Sequence, residues 1–183
     1  TNDVPLPGRF EILQKHPLVV LDVAHNPDKM VYLTAEWKRR RLPKPKILFA
    51  AAANKDHKNM LKSLVAIARS ITFVPFASSD RKCANPADLE RIACKLKPTL
   101  NTNVFLTSGE GLDDLFKTKK QKARLPTLPD ASVGEVGTPT LKGVGADPIL
   151  ITGSFFLAAD LRPRWISEAK ILKTRNSFGN NHP

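Results

Sequence analysis

Cysteine is scarce: the 183 residues hold two, Cys83 and Cys94, eleven positions apart. That spacing fits no zinc or dithiol motif, and one pair makes a poor disulfide framework. A reducing compartment follows as the expectation, the cytoplasm or an organelle interior. Long apolar runs are missing too. None approaches the ~20 residues that span a bilayer, and the opening "TNDVPLPGRF" has no charged-then-apolar signal segment. A membrane is therefore not an expected partner. The nine glycines form neither Gly-x-Gly-x-x-Gly nor Gly-x-x-x-x-Gly-Lys-Ser/Thr. This argues against an autonomous dinucleotide-binding domain and leaves the chain without a phosphate loop. Acidic residues number 17 against 29 basic ones, for a net charge of +12. The chain opens on Thr1 rather than methionine, and a piece of a longer protein is expected.

What is present suffices for a core. Apolar residues make up 42% and charged residues 25%, which suits one folded domain over 1–183. "LVVLDV" (18–23), "KILFAAA" (46–52), "ITFVPF" (71–76), "NVFLTS" (103–108) and "PILITG" (148–153) are near-continuously apolar, as strands covered on both faces are. "RFEILQ" (9–14) alternates and suits an edge strand. Helical periodicity fills the gaps at 27–40, 57–69 and 86–97, and more weakly at 110–119. This βαβα rhythm predicts an α/β fold, a Rossmann-like doubly wound, mostly parallel sheet of about six strands with helices on both faces. Residues 120–147, rich in proline and glycine, break the rhythm and are expected to form a loop insertion.

"LDVAHNP" (21–27) stands at the carboxyl end of the first apolar strand. Asn26 suits an N-cap and Pro27 the first helical turn. Asp22 and His25 then sit beside a helix N-terminus, at the edge where open α/β sheets bind ligands. Asp22 could equally brace the turn. Lys55, Asp56 and His57 follow the second parallel strand, and Gly153 and Ser154 follow the last one. A Gly-Ser turn lets backbone approach a ligand closely.

The positive charge is concentrated at 38–46 and 117–124. Such a field attracts nucleotides, polyglutamates or nucleic acid, or simply marks a solvated face. Aromatics near these clusters are few, Trp37 and Phe116 excepted, which argues against a nucleic-acid stacking platform.

Four segments in order give the chain a family likeness. "PGRFEIL", "LVVLDVAHNP", "NKDHKNML" and "ILITGSFFLAADLR" resemble the C-terminal domain of folylpolyglutamate synthase/dihydrofolate synthase, in the Mur ligase superfamily. The likeness runs over most of 7–162. Val23 stands where that family usually has glycine, and Asn54 where it has the first aspartate of its Asp-Lys-Asp turn. The resemblance implies an ATP-dependent ligase, working with Mg²⁺ through an acyl phosphate, that adds L-glutamate to dihydropteroate or folates. It further implies that Mg²⁺ and the phosphate loop belong mainly to an N-terminal ATPase domain absent from this chain, the expected partner, so that the chain alone is inactive. Within the motifs, Arg9 resembles the arginine that reaches the nucleotide phosphates. Asp22 resembles the acid near the ribose, His25 its neighbour at the nucleotide, and Ser154 a residue on the glutamate side. Arg9, His25 and Ser154 are thus the catalytic candidates, and Arg9, Asp22 and His25 the ATP-binding ones, with no metal ligand among them. The competing expectation is a basic nucleic-acid-binding or nucleotide-binding α/β module without ligase activity.

Overall fold

The apolar runs become the centre of a single sheet. The computed structural model describes residues 7–117 and 147–166. Within them lie β1 (Glu11–Lys15), β2 (Leu18–Asp22), β3 (Lys46–Phe49), β4 (Ser70–Phe73), β5 (Asn101–Val104) and β6 (Ile149–Thr152). Their order across the sheet is β1-β2-β6-β3-β4-β5. The alternating segment, β1, is the antiparallel edge strand, and every other pairing is parallel. Strand β6 inserts between β2 and β3, with Thr152 opposite both Asp22 and Phe49. The last strand in the sequence therefore delivers Gly153 and Ser154 between the ends of the first two parallel strands.

Among the described residues five α-helices cover the sheet: α1 (Pro27–Arg39), α2 (His57–Ile67), α3 (Pro86–Leu96), α4 (Ser108–Phe116) and α5 (Phe155–Leu161). Their starts follow local chemistry. Asn26 Oδ1 accepts from Lys29 N at 2.9 Å, and Asn85 Oδ1 from Ala87 N at 3.0 Å, each followed by proline in the first turn. Met30, Leu33 and Trp37 of α1, Met60 and Leu64 of α2, and Leu89 of α3 pack on Val20, Phe49, Phe73 and Leu150. Leu112 and Leu115 of α4 and Leu157 and Leu161 of α5 pack on Val19, Leu21, Leu48 and Ile151 on the other face. Adjacent residues of one strand, such as Val19 and Val20, thus serve opposite layers, as the two-residue period of a strand requires. This is the doubly wound architecture expected from the sequence.

Several boundaries differ from the sequence expectation, α4 among them, which spans Ser108–Phe116 rather than 110–119. The strand placed at 103–108 lies at Asn101–Val104, and Thr107 instead caps α4 by accepting from Glu110 N at 3.1 Å. Strand β5 is the sheet's far edge and is built largely of polar residues, so apolarity pointed past it, to residues 104–106, of which Val104 and Leu106 are exposed. Strands β3 and β4 stop at Phe49 and Phe73, and the apolar residues after them are buried outside the named strands. Helix α5 has no counterpart among the helices expected from the sequence. The loop expected at 120–147 lies outside the described residues apart from Asp147, which pairs with Arg69 at 2.9 Å.

The first basic cluster is partly occupied by structural roles. Arg39 and Arg40 close on Glu36 at 2.7 and 2.6 Å, and these bonds hold the Glu36 carboxyl down at about 2. The Arg40 guanidinium lies 4.3 Å from the centre of the Phe10 ring. Lys46 Nζ donates to Leu115 O near the end of α4. The second cluster lies outside the described residues except for Lys117.

Candidate functional site

The carboxyl ends of β2, β6, β3 and β4 lie side by side, and the chemistry-bearing residues gather there. The turn after β2 is fixed by Asp22. Its Oδ1 accepts from Ala24 N at 2.8 Å, and its Oδ2 accepts from Phe10 N at 2.9 Å. The second bond reaches back to the loop before β1. That loop is pinned again where Val23 N donates to Gly8 O at 2.8 Å and Gly8 N donates to Glu11 Oε2 at 2.8 Å. Glu11 is itself held by Arg162 at 2.9 Å. Gly8 has φ +74, and a Cβ there would meet Val23 Cγ1 at 3.0 Å, so the close crossing of the two turns needs glycine.

Between these anchors stands Arg9. It is exposed and its side chain makes no hydrogen bond or ion pair among the described residues, although its charge acts on Asp22. Burial pushes the Asp22 carboxyl above its usual value. The bonds from Phe10 and Ala24 and the charges of Arg9 and Lys29 oppose that shift without cancelling it.

The structure therefore gives Asp22 the bracing role that the sequence left open. Asp22→Ala is expected to strand two backbone N–H groups, at about 1–3 kcal/mol each where they stay dry, and to lower the melting temperature. The pH dependence has a definite sign. A carboxyl raised above 3.8 in the folded state binds its proton more tightly there than in the unfolded chain. Ionising it opposes folding as pH rises from 3.8 through the folded value. The wild type should lose stability relative to Asp22→Asn across that window, measured by denaturant titration at stepped pH.

His25 and Ser154 are brought together, while Arg9 and Asp22 lie on the β1 side. His25 and Ser154 line a cleft of about 170 Å³ with Gly153, Phe155, Phe156, Ala52, Asn54, Lys55 and Arg81. The cleft has three basic side chains, His25, Lys55 and Arg81, and no carboxylate in its lining. His25 Nδ1 lies 2.8 Å from Val23 O, which can only accept, so Nδ1 carries the proton and Nε2 is the accepting nitrogen of this tautomer. Lys29 Nζ lies 3.4 Å from Nε2, and the ring leans on Phe155 with centroids 5.2 Å apart. Ser154 is buried at the N-cap of α5, its Oγ accepting from Phe156 N at 3.1 Å. That bond leaves the hydroxyl proton free to donate into the cleft. Asp56 and His57 do not join the lining. Asp56 caps α2 through Asn59, whose hydrogen bonds hold its carboxyl below the usual value, and His57 Nε2 donates to Ala52 O at 2.9 Å.

Sequence reasoning missed Arg81. It lies in the loop after β4, which folds back along the residues after β3. Ala53 N donates to Lys82 O and Ala84 N to Ala51 O, both at 2.8 Å, around an antiparallel bridge between Ala52 and Cys83. The basic pair in "SSDRK" was visible, but nothing local showed that the loop turns towards β3.

Comparison with known proteins bears on the family and the fold. The model of the family described as Mur ligase, glutamate ligase domain, matches residues 8–124. A dihydrofolate synthase/folylpolyglutamate synthase of Bacillus subtilis is 30% identical over 161 residues, covering 86% of this chain and 30% of that protein. The Escherichia coli protein of the same description is 54% identical over a shorter stretch of 39 residues, 21% of this chain and 9% of that protein. The chain thus spans less than a third of the length of these curated relatives. Among solved structures, Mycobacterium tuberculosis folylpolyglutamate synthase complexed with ADP superposes with a TM-score of 0.68 at 20% identity, covering 88% of this chain and 33% of that one. A bifunctional folylpolyglutamate synthase/dihydrofolate synthase with Mn, AMPPNP and L-glutamate bound gives 0.60 at 18% identity, covering 88% of this chain and 32% of that one. At these identities the two superpositions establish the shared fold.

Proposed function

The chain belongs to the Mur ligase, glutamate ligase domain family, and from that membership we propose that it forms the carboxyl-terminal part of an ATP-dependent ligase joining L-glutamate to dihydropteroate or folates. The observation that carries this reading is the cleft. Its basic and hydroxyl lining without a carboxylate suits a small anion, and that lining includes an arginine, Arg81, whose side chain has no partner among the described residues. The solved relative that holds both a nucleotide analogue and L-glutamate shares this fold.

The chemistry runs in two steps. A substrate carboxylate oxygen attacks the terminal phosphoryl group of ATP, giving an acyl phosphate and ADP. The glutamate amine then attacks the acyl carbon, an amide forms, inorganic phosphate leaves and the amine sheds a proton. Arg9 stabilises the charge on the transferring phosphoryl group, where the planar guanidinium matches phosphate oxygens. Asp22 holds the Arg9 loop in place, and its oxygens keep lone pairs for a ribose hydroxyl. His25, with Nδ1–H fixed on Val23 O, offers Nε2 to the proton leaving the amine. Ser154 donates to a glutamate carboxylate.

Among the described residues no group of three or more His, Cys, Asp or Glu side chains could hold a metal ion. These residues do not form a Mg²⁺ site, and no step here is routed through one. In this reading the metal and the phosphate loop belong to the protein's own N-terminal ATPase domain, and the chain alone gives no turnover. No described helix is long and apolar enough to cross a membrane, and the free Cys83 and Cys94 suit a reducing cytoplasm. The test is ADP release by the full-length protein. Release should require both L-glutamate and dihydropteroate or a folate, and release indifferent to glutamate would contradict the assignment.

A further inference from the structure

The cleft's polar side chains come from different strand ends, and their order across the sheet orients a ligand. His25 follows β2, Ser154 follows β6, Lys55 follows β3, and Arg81 stands on the loop after β4. The sheet order is β2-β6-β3-β4, and the Arg81 loop folds back beside the residues after β3, so at about 4.8 Å per strand the row spans roughly 10 Å. The reacting end lies on the β2 side, where His25 and the Arg9 loop are. Lys55 stands on the far side of the row, at the β3 end, and with it Arg81. The Arg81 side chain makes no hydrogen bond or ion pair among the described residues, while its backbone is tied down, Arg81 N donating to Ser78 Oγ at 3.2 Å. The bridge between Ala52 and Cys83 fixes the same loop against the residues after β3.

The cleft also limits what can enter. At about 170 Å³ it lies below the roughly 300–1,000 Å³ that drug-sized ligands occupy. A small solute fits its size, and the Phe155 and Phe156 walls suit a short hydrocarbon stem. Two cations, Lys55 and the exposed Arg81, call for two anionic groups on that stem. A dicarboxylic amino acid has this pattern. Its amine must lie near His25, its α-carboxylate is next to the amine, and its second carboxylate is the part that reaches farthest.

We propose that Arg81 is the specificity-determining residue for the amino-acid substrate, its guanidinium taking the side-chain carboxylate while Ser154 and Lys55 take the α-carboxylate. This rests on the ligase reading above and goes beyond it by assigning the residue that tells a dicarboxylic amino acid from its neutral analogues. Guanidinium suits the task because its fork meets both carboxylate oxygens at once, which an ammonium cannot do.

The experiment uses the full-length protein and three variants, Arg81→Ala, Arg81→Lys and the exposed control Arg91→Ala on α3. ADP release is measured against L-glutamate, ATP and folate concentration, and again with L-glutamine in place of glutamate. Loss of a charged hydrogen bond corresponds to about tenfold or more. Arg81→Ala should raise the KM for glutamate by at least that factor, with the KM for ATP unchanged and kcat at saturating glutamate within about twofold. The preference for glutamate over glutamine should shrink by a similar factor. Arg81→Lys should fall between, and Arg91→Ala should match the wild type. An unchanged glutamate KM in Arg81→Ala, or a rise confined to ATP, overturns the proposal and leaves the ligase reading standing. A wild-type protein without glutamate-dependent release overturns both.

Discussion

Replacing Gly153 by alanine is expected to remove about 3 kcal/mol of stability. Gly153 has φ +109, and a Cβ there would fall on the Ala50 carbonyl oxygen and within 2.6 Å of Phe49 Cε2. Neither neighbour can give way easily. Ala50 directly follows β3, an interior strand flanked by β6 and β4, and Phe49 is fully buried against Phe73. Overpacking costs about 1–3 kcal/mol, and the left-handed backbone adds about 1–2 for a residue with a Cβ. At roughly 2–4 °C per kcal/mol for a chain of this size, melting should fall by roughly 6–12 °C. The matched control is Gly109→Ala on α4, where the new methyl meets only Arg164 Nη2, the tip of a flexible side chain. That variant should melt within about 2 °C of the wild type. Thermal unfolding followed by circular dichroism separates the two, and equal melting temperatures would mean that the Gly153 turn can relax.

Arg9→Ala, made in the full-length protein, is expected to cut kcat by about 10²-fold while leaving the melting temperature within about 2 °C. The loop around Arg9 is held by Val23 N on Gly8 O, Phe10 N on Asp22 and Gly8 N on Glu11. None of these bonds uses the Arg9 side chain, so truncation removes no hydrogen bond or ion pair made among the described residues. The rate cost is the size seen when one preorganised donor to developing charge is deleted. Arg9→Lys should recover part of the rate, since charge survives and the two-pronged geometry does not. Comparison with Asp22→Ala distinguishes contact from support. Asp22→Ala should lose stability and rate together, because it frees the loop that presents Arg9. A kcat retained in Arg9→Ala would remove Arg9 from the phosphoryl step.

The sheet was legible in the sequence because its interior strands are apolar on both faces. "LVVL" and "ILI" serve two layers at once, and nothing polar interrupts them. Helix starts were legible where Asn-Pro stands at 26–27 and 85–86, since the cap acts within three residues. The edge strand β5 was misplaced because an edge need not be apolar. The site was legible where it follows strand ends directly, as for His25 and Ser154. Arg81 was not legible, because it enters the cleft through a loop that folds back on a neighbouring strand. Asp22 shows the reverse case. Its position was clear, but only the bonds to Phe10 and Ala24 reveal how far it is committed to bracing the turn.

The central claim is that this domain serves a ligase that activates a carboxylate by phosphorylation and passes it to glutamate. The most direct measurement follows oxygen atoms. The full-length protein is given ATP, L-glutamate and a folate or dihydropteroate substrate whose reacting carboxylate carries a heavy oxygen isotope. If an acyl phosphate forms, one labelled oxygen leaves with the phosphoryl group, and the inorganic phosphate released carries one label for each amide made. Phosphate released without label alongside amide formation would contradict the account.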